Sequence, residues 1–165
     1  MAKNLRLSLL AHIGICLVIS AWGGFQPYLY KEILFTVIVI FLYSFIGGML
    51  VYQGSKIKNL ISVSLVSMST LVISLVCVGI YQFVVINMYN YKLEPVYYKF
   101  TLLAATIFNG SVTPTANLIG RFVPAFMLPY GWLLTFFIPT LALWYGIEWK
   151  AKRASNRAKE VKETK

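Results

Sequence analysis

The sequence predicts an all-α integral membrane protein: a bundle of four transmembrane helices, with a Pro/Gly-interrupted re-entrant or capping segment before the last one. Three observations lead there. The 165 residues are 59% hydrophobic and only 12% charged, about half the charged share of a soluble domain. Four apolar runs have membrane length. The formal net charge of +10 is crowded at the chain ends: Lys3 and Arg6 open the sequence, and Lys150, Lys152, Arg153, Arg157, Lys159, Lys162 and Lys165 close it. So much apolar surface is not hidden by a fold of this size in water, and lipid must be its solvent.

The first helix is expected over about 7–24. Charged residues precede it, as in a secretory leader, but Trp22 interrupts the small-residue pattern a cleavage site needs, and further apolar runs follow at once. It is therefore read as a retained span, with Pro27 as its stop. The second, about 33–52, is uncharged and twenty residues long, which at 1.5 Å per residue reaches about 30 Å. A polar turn with Lys56 and Lys58 separates it from the third run, about 60–89, long enough at about 45 Å to require tilt or projection. The loop Lys92–Lys99 carries charge, Pro95 and tyrosines, the composition of a headgroup layer. The last span, about 130–147, has Tyr130 and Trp132 at one end and Trp144, Tyr145 and Trp149 at the other. That is an aromatic belt at both interfaces. Pro139 within it predicts a kink.

Charge sets the sidedness. With both termini in the cytoplasm, of a bacterial cell membrane as expected here, eleven basic residues lie inside and three outside, Arg121 apart. This is the positive-inside bias. Both ends inside requires an even number of crossings, and four runs already supply it. Residues 100–129 then have no crossing left to make. Pro114, Pro124 and Pro129 forbid one long helix, and Gly110 and Gly120 loosen its ends, so the segment is expected to dip in from outside or to cap the bundle. In the rival arrangement 100–120 crosses and 122–149 turns back from the cytoplasmic side, which leaves the aromatic-flanked run unused as a span. The membrane domain thus covers 1–149, and 150–165 forms a basic cytoplasmic tail.

Arg121 is a cation within a long apolar stretch, at a cost of roughly 2.5–3.5 kcal/mol if it sat at the bilayer centre. With Asn109, Thr113 and Asn117 it makes a candidate outward-facing polar site, and Glu94 is the acid expected nearest to it. The competing use is an interfacial arginine reaching phosphates. Ser67, Thr70, Ser74, Cys77 and Tyr81 are spaced three, four, three, four, a seam of mostly small or hydroxyl side chains suited to helix packing in lipid. Ser44 with Gly48, and Ala142 with Gly146, are small-xxx-small pairs of the same kind. Asn4, Ser8, His12, Cys16 and Ser20 follow one another at steps of four on the first helix, and His12 reads as hydrogen-bonded between helices. Lys150, Lys152, Arg153 and Arg157 suit anionic lipid headgroups.

One histidine, two unpaired-looking cysteines and no aspartate supply neither a metal site nor an orienting acid for a nucleophile. No cofactor and no nucleic acid is expected. The chemistry points to a non-enzymatic protein acting through helix contacts with a membrane partner or a second copy, in an accessory, protective or regulatory role. The alternative is a small transporter or channel subunit using the site around Asn109, Asn117 and Arg121.

Overall fold

A computed structural model describes residues 2–22, 28–91, 109–123 and 131–163, and these are helical with short turns and no strand. The elements are α1 (Ala2–Ala21), α2 (Leu29–Met49), α3 (Lys56–Val63), α4 (Leu65–Tyr91), α5 (Thr113–Phe122), a 3-10 helix (Gly131–Phe136) and α6 (Phe137–Glu163). Ala2–Ala21, Leu29–Met49 and Lys56–Cys77 are each long and apolar enough to cross a membrane. The loop containing Glu94, residues 100–108, and Pro124 and Pro129 lie outside the described residues.

Several boundaries depart from the expectation, each for a local reason. Helix α1 starts at Ala2, because Lys3 and Arg6 are exposed and a helix does not end where its charge begins. Helix α2 stops at Met49, where Leu50 turns extended while its N–H still bonds Gly47 O. Gly54 then takes φ +86°, a left-handed turn that favours glycine, and Ser55 caps α3 by accepting from the Lys58 N–H. The third run is not one helix. At Ser64 the N–H and the hydroxyl both bond Ile61 O, the hydroxyl at 2.9 Å, and α4 restarts one residue later. Pro139 does not kink a helix interior. It lies at the third position of α6, directly after the 3-10 helix, and the change from 3-10 to α falls beside it at Phe137. Helix α6 runs without interruption through the basic residues to Glu163.

The interior is mixed: an apolar cluster that includes Ile19, Val39, Val66, Leu143 and Ile147 is buried together with many polar side chains. The fully enclosed positions include Asn4, Ser8, His12, Glu32, Asn59, Ser62, Thr70 and Ser74, while Leu10, Val18, Val37, Phe41, Val72 and Phe83 face outward. Enclosed polar side chains that bond one another, beside apolar ones facing outward, are the pattern expected of helices long and apolar enough to lie in lipid. The row Asn4–Ser8–His12–Cys16 stays enclosed along its whole length. Each step turns about 40°, and three of the four meet different neighbours: Val51 and Ser62 at Asn4, Tyr43 and Thr70 at His12, Ser111 at Cys16, while Ser8 bonds Leu5 O of its own helix.

Helices α2 and α6 run in the same direction and cross through glycine. A Cβ on Gly47 would lie 2.1 Å from Leu143 O, and one on Gly146 would lie 2.0 Å from Ser44 O. Of the four small residues expected at such crossings, Gly146 and Ser44 take part directly and Ala142 is buried nearby. Gly48 is displaced by its neighbour: a Cβ there meets nothing nearer than Gly146 O at 3.9 Å. One residue along a helix is a 100° rotation, enough to move the contact from one glycine to the next.

Polar bonds tie one end of the bundle together. Asn4 Nδ2 donates to Val51 O at 2.7 Å, and its Oδ1 accepts from the Val51 N–H. Asn59 Nδ2 donates to Glu148 Oε1 at 2.7 Å, while Asn59 Oδ1 accepts from the Gln53 N–H. The start of α1, the 50–55 turn, α3 and the point where α6 turns basic therefore meet at the same end.

Candidate functional site

The interior is built around α5 and the turn before it. Asn109 O accepts from the Val112 N–H and from Thr113 Oγ1, closing a tight turn whose residues Gly110, Ser111 and Val112 are buried. Pro114 falls in the first turn of α5, where proline is tolerated. From there α5 runs antiparallel to α2. Ser111 meets Tyr43, Thr115 Oγ1 donates to Thr36 Oγ1 at 3.3 Å, and Arg121 meets Glu32. Glu32 and Tyr43 are about 16 Å apart along α2. The described part of the segment therefore runs from about the middle of α2, at Tyr43, to its first turn, at Glu32. Within 109–123 the helix covers only Thr113–Phe122, so the long continuous helix that the prolines were expected to forbid is absent there.

At the inner end a hydrogen-bonded chain joins four elements. Cys16 Sγ donates to Ser111 Oγ at 3.2 Å. Ser111 Oγ and the Tyr43 hydroxyl are 2.9 Å apart, and that hydroxyl lies 2.6 Å from His12 Nδ1. His12 Nε2 lies 3.0 Å from Thr70 Oγ1, which donates to Val66 O at 2.6 Å. Ser74 Oγ donates to Asn109 Oδ1 at 2.7 Å beside it, and Ser67 Oγ bonds Phe136 O and Thr140 Oγ1, both at 2.6 Å. Among the described residues no buried side-chain nitrogen or oxygen lacks a partner.

At the outer end Arg121 grips Glu32 with both prongs of its guanidinium. Nε donates to Oε2 at 2.5 Å and Nη2 to Oε1 at 3.1 Å. The pair is lopsided, since the Glu32 side chain is 1% exposed and that of Arg121 40%. The hydrogen bond to Glu32 raises the already high pKa of the guanidinium, so Arg121 stays a cation.

The four residues expected to form one outward-facing polar site are thus distributed along α5 and the turn before it. Asn109 is at its inner end against Ser74, Thr113 folds back on Asn109 O, Asn117 is half-buried midway, and Arg121 is at the outer end. Thr113 and Arg121 alone are eight helical positions, about 12 Å, apart, and Asn109 lies beyond Thr113, too far for one small ligand to touch both ends. The seam residues Ser67, Thr70, Ser74 and Cys77 are all buried, and three of them bond other elements. Sequence reading did not single out Glu32, the partner of Arg121, or Tyr43, which with Ser111 completes the His12 chain. Their signal was the row on α1, whose enclosed histidine needed two partners. Among the described residues no group of three His, Cys, Asp or Glu is placed to hold a metal.

The class these features define is an all-helical chain with three membrane-length apolar helices and a polar interior. Comparison with protein-family models, with curated proteins and with solved structures finds no match.

Proposed function

We propose that the protein crosses a bacterial cell membrane four times, with α6 and the 3-10 helix before it as the fourth span and α5 as an outer re-entrant segment. It works without catalysis, through helix contacts with a membrane partner or a second copy, in an accessory, protective or regulatory role. Both termini lie in the cytoplasm, in keeping with the basic half of α6. The observation that carries this reading is where the polar groups go. His12, Cys16, Tyr43, Thr70, Ser74, Asn109 and Ser111 bond one another and hold the segment in place. What the bundle offers outward is apolar helix face and a basic helix, the surfaces through which membrane proteins meet partners and lipid.

The test is site-specific photo-crosslinking in growing cells, with the probe at Val37 and Phe41 on α2 and at Val72 and Val76 on α4, all exposed. A discrete protein adduct from one face and not the other supports the reading. Lipid adducts alone at all four positions reject it.

A transporter or channel subunit is the second reading. It is favoured by the inward-pointing start of α5, since broken helices ending near midspan build solute and ion sites in transporters. Flux of protons or chloride into dye-loaded proteoliposomes, altered by Arg121→Gln, would put this reading first.

A further inference from the structure

On the outer side of the α2–α6 crossing lies an open groove of about 440 Å³, lined by Ser44, Phe45, Gly48 and Met49 from α2 and by Trp149, Lys150, Arg153, Ala154 and Arg157 from α6. Its composition changes along its length. The α2 end is apolar and small, within the last turns of a membrane-length helix. The α6 end is cationic, and none of the lining residues is acidic. Lys150, Arg153 and Arg157 stand at i, i+3 and i+7, one face of the helix. They rise about 10 Å from first to last, starting at the level where α2 ends. Arg153 is already oriented, its guanidinium 4.2 Å above the Trp149 ring.

We infer that this groove holds one anionic phospholipid, its phosphate on Lys150, Arg153 and Arg157 and an acyl chain along Phe45, Gly48 and Met49. Two independent features support that occupant. The charge is complementary and set at headgroup height beside an apolar channel, which matches an amphiphile better than a soluble anion. The second feature is Gly48. Helix packing does not require glycine there, since an added Cβ finds only an ordinary contact at 3.9 Å, whereas Gly47 and Gly146 admit none. Glycine at 48 keeps the floor of the groove open. Lys152 belongs elsewhere: it lines a separate groove on the far side of Trp149 with Tyr52, Lys56 and Glu148, where an acid competes for its charge.

The inference rests on the proposed placement of the basic half of α6 at the headgroup layer. Its test needs no protein partner, so it can fail without touching the crosslinking result, and the reverse. The full-length protein is purified in detergent, and retained lipid is counted by native mass spectrometry with phosphatidylglycerol, phosphatidylcholine or inorganic phosphate added. One saturable phosphatidylglycerol is expected, with phosphatidylcholine held far more weakly and millimolar phosphate unable to displace it. Gly48→Leu fills the floor and removes the bound lipid. The double variant Arg153→Gln/Arg157→Gln, at exposed positions that leave folding intact, weakens binding roughly five-fold per lost cation. The charge-matched variant Lys152→Gln/Lys159→Gln leaves it unchanged. Equal losses in the two double variants would mean diffuse attraction and overturn the site. So would full binding by a folded Gly48→Leu protein, or displacement by phosphate alone.

Discussion

Arg121 meets Glu32 across 89 positions of sequence, and the two differ sharply in what they lose if separated. The carboxylate is enclosed and the guanidinium is nearly half exposed. Removing the arginine strands a buried charge, while removing the acid frees a cation to turn toward water or phosphate.

Arg121→Gln should therefore destabilise the protein more than Glu32→Gln does, and Glu32→Gln added to Arg121→Gln should restore part of the loss. Arg121→Lys should not substitute fully, because an ammonium lacks the planar fork that engages both carboxylate oxygens. Thermal unfolding in detergent reads all four. Equal, negligible effects of both single changes would show that the pair contributes nothing and that Arg121 serves only as an interfacial anchor.

Tyr43→Phe tests the inner chain. The lost hydroxyl leaves His12 Nδ1 and Ser111 Oγ without their shared partner in a fully buried site. Hydrogen bonds between membrane helices average only about 0.6 kcal/mol, but a stranded buried group costs about 1–3 kcal/mol. The larger figure should apply, because the packed turn at 110–112 offers the stranded groups no easy alternative. A loss below about 0.5 kcal/mol in reversible unfolding would mean that His12 finds another partner.

Gly47→Ala and Gly146→Ala should each force α2 and α6 apart, since the new methyl would overlap a backbone carbonyl that has no rotamer to change. Overpacking of this kind costs about 1–3 kcal/mol or more. Gly48→Ala should be neutral or stabilising by up to about 1 kcal/mol, the helix preference of alanine over glycine. Ranking the three by midpoint of unfolding checks the crossing, and equal loss at all three positions would contradict it.

These cases also show what the chain discloses in advance. Apolar run length marks membrane-length helices because hydrocarbon thickness dictates it. Steps of four on α1 and the three-four seam on α4 marked enclosed faces because periodicity survives in any packing. The Pro- and Gly-rich segment marked a break because proline removes a backbone donor wherever it lies. Contacts that depend on azimuth or on distant partners were not legible. Gly47 and Gly48 look alike in sequence, and only the rotation of α2 against α6 separates them. Glu32 sits at the edge of an apolar run, where an acid usually faces water, and nothing local shows that α5 returns to it. The interruption at Ser64 was equally silent, since serine is common within membrane helices.

The last prediction concerns the depth and direction of the 109–122 segment. Asn4, Val51, Asn59 and Glu148 are bonded at one end of the bundle, and Glu32 with Arg121 marks the other. In a background with Cys16 and Cys77 replaced, single cysteines at Gly54 and Ser155 should react with an impermeant thiol reagent from one side only. Cysteines at Tyr28 and Arg121 should react only from the opposite side. A cysteine at Ser111 should react from neither, because that residue is fully enclosed between Cys16 and Tyr43. This differs from a shallow cap, in which 111 and 121 would label together. It also differs from a full crossing, in which 111 and 121 would belong to opposite faces. Adding Tyr43→Phe should loosen the inner end and raise labelling at 111 from the Arg121 side, while leaving 54 and 155 unchanged. Labelling of 111 from the Gly54 side, in either background, would mean that the segment continues through the bundle and that α5 is part of a span.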